Sequence, residues 1–249
     1  MIYHILNGDS LAMTFKESTI EGDIIITREA LIDGSLEGEY LPDFWQTRAD
    51  SLGISLDEYQ AYSVSEFDQI INAPHDATFH LWFGYDLFCQ VNMWFVISLI
   101  HEVPNDRKAY VVYPTFLAEA DIWLEFGRAG VDDLEASLLT RIKLEPEDIQ
   151  LAKDLWQAYK THDLEALALL SQRQSACFPY LKEVCQAHID RFPADGQPSR
   201  PERVLTEIIE KGETEFYRIF RLFNEKEGVY GFGDSQLKPV YDKLMARLN

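Results

Sequence analysis

Short runs of apolar residues alternate with stretches of helical spacing through the first half of the chain. Four runs are predicted to be β-strands, namely residues 3–6, 24–27, 78–83 and 109–113. Each is nearly continuous in apolar residues, which is typical of strands that helices cover on both faces. Strands that alternate with helices predict a parallel sheet. We therefore expect residues 1–125 to form an α/β domain with an open, mostly parallel sheet and flanking helices.

The pattern changes after residue 125, where apolar residues recur mainly at helical spacing. Helices are predicted over residues 134–144, 147–160, 163–170 and 177–192, followed by a proline-rich loop over 193–201. We therefore expect a helical region over residues 126–195.

The last part of the chain begins with a helix that Ser199 starts, because Ser199 and Glu202 have the spacing of a capping box. A helix over residues 213–223, a short strand over 229–232 and a final helix are predicted to follow. We expect residues 196–249 to form a helical subdomain that resembles a winged helix. The predicted fold is thus α/β, followed by an all-helical C-terminal region.

Composition narrows the classes of partner. The chain has 249 residues and a formal net charge of −20. An acidic surface repels phosphate backbones and anionic membranes, so nucleic-acid and membrane binding are disfavoured. No run approaches the roughly 18 apolar residues of a membrane span, and the N-terminus lacks a signal-peptide pattern, so we expect a cytoplasmic protein. The three cysteines lack CxxC spacing and are expected to be buried free thiols.

The polar cluster Asn7-Gly8-Asp9-Ser10 follows the first predicted strand. Ligands of open α/β sheets bind outside the carboxyl ends of the strands, so this cluster is a candidate binding site. Gly8 permits a tight turn, and Ser10 lies near the start of a helix, where backbone N–H groups are free. The alternative is that Asp9 and Ser10 only cap this helix.

The letters Gly8-Asp9-Ser10-Leu11 also resemble the opening block of the GDSL hydrolases, in which the serine is the nucleophile of a parallel α/β fold. A serine nucleophile needs a base, usually a histidine. The chain has no Gly-x-Asn-Asp block and no Asp-x-x-His pair near its C-terminus. The resemblance is therefore confined to the first block, and a helix cap or a phosphate-type contact is favoured for Ser10.

Two further polar clusters are expected at strand ends. Arg28 and Glu29 follow the second predicted strand, and Asp86 follows the third, with Gln90 one helical turn later. Arg28 and Glu29 could instead form a surface ion pair, and His80 within the third strand could be a satisfied core histidine.

If the three clusters share a cleft, we expect that cleft to bind a small molecule of the nucleotide or phosphate type. Asp9 or Glu29 is then the expected acid or base, with Ser10 as a further catalytic candidate. Arg28 is the expected anion contact, and Asn7 and Gln90 the orienting groups. The predicted ligand-binding residues are Asn7, Gly8, Arg28, His80, Asp86 and Gln90.

Signals for a metal or a cofactor are weak. Asp9, Glu29 and Asp86 could converge as oxygen ligands, but the chain has no HxH or HExxH spacing. It also has no P-loop and no GxGxxG motif. We assign no metal ligands, and the sequence predicts no particular cofactor.

Several segments together resemble the bacterial domain-of-unknown-function 1835 family. They are His-Ile-Leu-Asn-Gly-Asp-Ser over residues 4–10, Arg-Glu-Ala-Leu over 28–31 with Gly34 downstream, and Leu-Trp-Phe-Gly-Tyr-Asp-Leu-Phe-Cys-Gln over 81–90. Ser-Arg-Pro-Glu-Arg over 199–203 is similar to the family's usual tail, whereas Gly34-Ser35 stands where members often have Gly-Pro. The resemblance implies an α/β N-terminal domain and a helical C-terminal one, and it implies no activity.

The sequence leaves two functions open. The first is a binding protein or enzyme for a small polar molecule, with its site at the strand ends. The second is a regulatory or interaction module whose C-terminal helices bind a protein partner, which would show as a homo-oligomer in solution. DNA binding through Arg218, Arg221 and Lys226 is less favoured, because residues 199–249 hold 9 basic and 9 acidic side chains.

Overall fold

The computed structural model describes residues 1–102, 106–194 and 196–248. Residue 195, within the predicted proline-rich loop, and residue 249, at the end of the predicted C-terminal subdomain, lie outside the described residues.

The N-terminal part is built around a five-stranded sheet with the strand order β2-β1-β3-β4-β5. The strands are β1 Ile2–Asn7, β2 Asp23–Thr27, β3 Thr78–Trp82, β4 Lys108–Val112 and β5 Ile142–Lys143. The pairs β1–β2, β1–β3 and β3–β4 are parallel, and only β5 runs antiparallel to its neighbour. The predicted open, mostly parallel sheet is confirmed.

Helices connect the strands and cover both faces of the sheet. In chain order they are α1 Asp9–Phe15, α2 Leu41–Leu52, α3 Leu56–Tyr59, a π-helical turn Gln60–Val64, α4 Ser65–Ile71, α5 Leu87–Ile100, a 3-10 helix Glu119–Leu124, α6 Val131–Leu139 and α7 Pro146–Lys160. The helix predicted over 134–144 is wrong at its end, because residues 142–143 form the edge strand β5. A strand of two residues is too short to leave an alternating pattern in the sequence.

The two faces of the sheet carry separate apolar clusters, because successive side chains of a strand point to opposite sides. Leu6 and Trp82 face α1 and α6, where Leu11, Phe15 and Leu134 are buried. Ile5 and Leu81 face α5, a helix that is apolar on nearly all sides and has twelve buried residues. A helix of that kind belongs in the interior, and α7 packs on its outer side.

The C-terminal region is all-helical, as predicted. It contains α8 Leu164–Leu170, α9 Leu181–Ile189, α10 Arg200–Glu210, α11 Phe216–Glu227, a 3-10 helix Gly228–Tyr230 and α12 Asp234–Leu248. The capping box at Ser199 is confirmed, since its hydroxyl accepts from the Glu202 N–H and the Glu202 carboxylate accepts from the Ser199 N–H. The strand predicted over 229–232 is wrong, because the 3-10 helix occupies that place and Tyr230 is buried.

No helix within the described ranges combines the length and apolar character that crossing a bilayer would require. The three cysteines, Cys89, Cys177 and Cys185, are free and buried, as expected from their number and spacing.

Candidate functional site

The carboxyl ends of β1, β2 and β3 lie at one edge of the sheet. In the strand register Asn7 pairs with Thr27, and Leu6 pairs with Trp82. Because β2 and β3 flank β1 on opposite sides, the chain reverses direction across the sheet at β1, which is where open α/β folds place ligands. Two cavities open at this edge, and Asn7 lines both.

The larger cavity, here called the outer cleft, has a volume of about 350 Å³. Its walls are formed by the last residues of β1 and β2 and the residues directly after them. Leu52, Tyr62 and Phe88 from the helical segments complete the lining. The residues that line it include Gly8 and the polar or aromatic side chains of Asn7, Asp9, Arg28, Tyr62 and Phe88. The structure therefore brings the first two predicted clusters together.

Arg28 is held between two carboxylates in the outer cleft. Its guanidinium donates to Asp9 at 2.9–3.0 Å and to Glu66 at 2.8 Å, and it lies over the ring of Tyr62. The hydrogen bonds with Asp9 and the charges of both carboxylates raise the pKa of Arg28. The charge of Arg28 is thus balanced by Asp9 in the lining of the cleft and by Glu66, which is not part of the lining.

The predicted helix-capping role of Asp9 and Ser10 is not what the structure shows. The cap residue of α1 is Gly8, with a φ of 91°, and no side chain caps this helix. The Asp9 carboxylate instead binds Arg28 with both oxygens. Its side chain is 55% exposed, so it remains accessible to a ligand in the outer cleft.

Glu29 is among the residues that line the outer cleft, but its carboxylate points into the protein. One oxygen accepts from Arg48 at 2.8 Å and the other from the Tyr59 hydroxyl, and Arg48 is only 1% exposed. Burial, and then the charge of Glu29, raise the pKa of Tyr59. The ion pair with Arg48 and the hydrogen bond from Tyr59 connect the segment after β2 to α2 and α3. The position of Glu29 is therefore that of a structural residue.

The amides of α5 connect the strand ends. Asn92, which is fully buried, donates to the Asn7 side chain at 3.2 Å and to the Glu29 carbonyl at 2.8 Å, and accepts from the Leu31 N–H. Gln90 donates to the Gly84 carbonyl at 2.8 Å and to the Tyr113 hydroxyl at 3.1 Å. Buried amides need partners, and these two find theirs in the loops after the strands.

The smaller cavity, here called the inner cavity, has a volume of about 60 Å³ and lies between the ends of β1 and β3. Asn7, Ser10, Gly84 and Glu125 supply its polar lining. Among the described residues, no histidine lines either cavity, so the structure provides no histidine base for a Ser10 nucleophile there.

Asp86 lies behind the inner cavity and not in the outer cleft. It is fully buried and caps α5, where its Oδ1 accepts from the Cys89 N–H at 3.0 Å. Its side chain meets those of Cys89 and Glu125. The structure therefore does not bring Asp9, Glu29 and Asp86 together as oxygen ligands, because Arg28 holds the first and Arg48 the second.

His80 lies inside β3 on the face covered by α1 and α6, away from the strand ends. Its ring packs 4.9 Å from that of His4 and 5.5 Å from that of Tyr110. Burial lowers the pKa of His80 to about 4, with smaller effects from His4 and Arg141. His80 is therefore a neutral histidine of the core.

Sequence reasoning missed several residues of the site. Cys89 could have been linked to Asp86 from the sequence, because it lies three residues later on the same helical face. Glu66 and Arg48 had none, because only the fold brings them to Arg28 and Glu29. Glu125 follows a 3-10 helix in an irregular segment, and no pattern in the sequence links it to Asp86.

Comparison of the chain with models of known protein families, with curated proteins and with solved structures found no match.

Proposed function

We propose that the protein binds a small polar molecule of the nucleoside class in the outer cleft. The observation that carries the proposal is the convergence of Asn7, Asp9 and Arg28 around one cleft of about 350 Å³ at the strand ends. That volume lies within the range of small-molecule pockets.

The lining of the outer cleft favours hydroxyl or amine donors over a free phosphate. Arg28 already holds Asp9 and Glu66, so a phosphate would have to displace carboxylates from it. The exposed Asp9 oxygens are acceptors for ribose-type hydroxyl groups. Tyr62, which is 51% exposed, and the half-buried Phe88 supply aromatic surface for a ring. This supports the nucleoside part of the predicted nucleotide more than its phosphate.

Catalysis by Asp9, Ser10 or Glu29 stays a prediction with little geometric support. Asp9 is held by three hydrogen bonds from one guanidinium, and Glu29 is buried against Arg48 and Tyr59. A general acid or base needs a proton-transfer partner within reach of the ligand. We therefore propose binding as the function and assign no reaction.

A thermal-shift screen tests the proposal. The protein is heated with nucleosides, nucleoside monophosphates, sugar phosphates or inorganic phosphate, and a bound ligand raises Tm by mass action. The expected result is that nucleosides raise Tm and inorganic phosphate does not. Asp9→Ala is expected to abolish the shift, whereas Asp242→Ala, which removes an exposed ion pair from α12, is expected to keep it.

The interaction module remains a second candidate because of one groove in the C-terminal region. The groove has a volume of about 900 Å³ and lies between the loop before α10 and the helix α12. Arg191, Lys243 and Arg247 contribute positive charge to it, and Glu202 pairs with the last two. Light scattering tests this candidate, because a partner role for this face is expected to give a dimer in solution.

A further inference from the structure

Three side chains with metal-binding atoms meet behind the inner cavity. They are Asp86 at the start of α5, Cys89 one turn later, and Glu125 at the end of the 3-10 helix Glu119–Leu124. Their ligand atoms all lie within 4.8 Å of one another. Asp86 and Cys89 are fully buried, and the half-buried Glu125 packs its Cβ and Cγ against Gly84 and places a carboxylate oxygen in the cluster.

The two carboxyl groups of this cluster have no positive side chain to balance them. Within the described ranges, no lysine, arginine or histidine forms an ion pair with Asp86 or Glu125. The carboxyl oxygens of Asp86 and Glu125 lie within 4.8 Å of each other, and Asp86 is fully buried, so the pair requires either a shared proton or a cation.

One carboxylate oxygen of the cluster receives no hydrogen bond from outside it. Asp86 Oδ1 accepts from the Cys89 N–H, whereas Asp86 Oδ2 is buried and, among the described residues, has only the Glu125 carboxyl and the Cys89 thiol as polar neighbours. A buried carboxylate oxygen is costly unless a proton or a bound ion satisfies it. Asp86 Oδ2 lies close to Gly84, and Gly84 also lines the inner cavity. This oxygen and the inner cavity therefore adjoin the same residue.

The backbone leaves room around the cluster where a side chain would block it. A Cβ added to Gly231 would lie 2.0 Å from Asp86 Oδ1, and one added to Gly84 would lie 2.9 Å from Asp86 Oδ2. The inner cavity of about 60 Å³ adjoins Glu125. A water molecule occupies about 30 Å³ in the liquid, so the cavity has space for solvent ligands.

We propose that Asp86, Cys89 and Glu125 bind a divalent transition-metal ion, with solvent from the inner cavity completing its coordination. Carboxylate oxygen and thiolate sulfur are both ligands of Zn²⁺, and three protein ligands with one open position are typical of its reactive sites. A thiolate disfavours Mg²⁺ and Ca²⁺, which take oxygen ligands. The site shares no residue with the lining of the outer cleft, so it stands or falls separately from the proposed nucleoside binding.

Isothermal titration calorimetry of the full untagged chain, stripped with chelator, tests the site with ZnCl₂ and with MgCl₂. The expected result is one Zn²⁺ per chain and no measurable Mg²⁺ binding. Glu125→Gln is expected to weaken Zn²⁺ binding by at least about 100-fold, because a direct ligand matters more than the outer-shell groups that cost 10–100-fold. Cys177→Ser, a second buried thiol beside an aspartate, and Asp9→Asn are the matched controls and are expected to retain the wild-type affinity.

Cobalt supplies a readout that a change in folding does not produce. Co²⁺ bound through Cys89 is expected to give a thiolate-to-metal charge-transfer band in the near ultraviolet, and Cys89→Ser is expected to lose it while keeping the wild-type far-UV circular dichroism. Absence of Zn²⁺ binding by the wild type overturns the proposal. Equal Zn²⁺ binding by wild type, Glu125→Gln and Cys89→Ser overturns it as well.

Discussion

The side-chain amide of Asn7 donates a hydrogen bond to Sγ of Cys89 at 3.1 Å, and its oxygen accepts one from Asn92 at 3.2 Å. Asn7 thereby joins the end of β1 to two turns of α5. It also lines both cavities at the strand ends. One side chain therefore connects the outer cleft to the cluster of Asp86, Cys89 and Glu125.

Asn7→Ala is expected to lower the free energy of unfolding by about 1–2 kcal/mol, because it removes two hydrogen bonds and leaves the Asn92 amide with one fewer partner. Urea unfolding at neutral pH measures the change. Asn72→Ala removes an exposed hydrogen bond at the end of α4 and is expected to change stability by less than about 0.5 kcal/mol. Equal effects of the two substitutions would argue against a connecting role for Asn7.

Arg48→Met is expected to destabilise the protein by about 3–5 kcal/mol, because it leaves the Glu29 carboxylate buried without its counter-charge. The double variant Glu29→Gln with Arg48→Met is expected to recover part of that loss, since no unpaired charge then remains. Asp9→Asn breaks an exposed pair and is expected to cost at most about 1 kcal/mol. Denaturant unfolding of the four proteins distinguishes a structural Glu29 from one available for chemistry.

Gly231→Ala is expected to cost several times more stability than Gly53→Ala. Both glycines have left-handed backbones, with φ of 62° and 69°, so both substitutions carry a backbone cost of about 1 kcal/mol. Only at Gly231 would the new Cβ collide with Asp86, whereas Gly53 has open space around it. Thermal unfolding compares them, and equal losses would mean that the backbone near Asp86 can move aside.

Two histidines, the buried His188 and the half-buried His101, are expected to contribute a loss of stability as pH is lowered below about 6.5. Burial lowers the pKa of His188 to about 3, with smaller effects from Arg191 and His162, and burial lowers the pKa of His101 to about 4. Between these values and the ordinary histidine pKa of 6.5, the two histidines take up protons in the unfolded chain and not in the folded one. Acid therefore favours unfolding through these two side chains.

His188→Phe isolates this effect, because the new ring can pack against Tyr159 and Phe192 as the imidazole does. The loss of stability between pH 7.5 and 5.5 is expected to be smaller than in the wild type by about 1.4 kcal/mol, one proton taken up over one pH unit. His75→Gln, at an exposed position, is the control. An unchanged pH dependence in His188→Phe would contradict the assignment.

The sequence was sufficient for features that depend on local pattern. Continuous apolar runs identified β1 to β4, and parallel strands place their ends at one edge, which is why Asn7, Asp9 and Arg28 could be predicted to meet. The capping box at Ser199 was equally local. These features need only short-range spacing and the general geometry of parallel sheets.

The sequence was insufficient where a partner comes from a distant segment. Glu29 and Asp86 were expected to face a ligand, but tertiary contacts supply Arg48 to one and Glu125 to the other. The edge strand β5 depends on pairing with β4, and its two residues follow directly on a helical pattern. Such contacts are set by packing, and no spacing within one segment encodes them.

Backbone amide shifts in the presence of nucleosides test the central claim most directly. A ¹⁵N-labelled sample is titrated with a mixture of adenosine, guanosine, cytidine and uridine, and separately with inorganic phosphate. Nucleoside binding in the outer cleft predicts shifts that cluster at residues 7–10, 27–30 and 88, with none caused by phosphate. Shifts confined to the groove between the loop before α10 and the helix α12, or no shifts at all, would contradict the account.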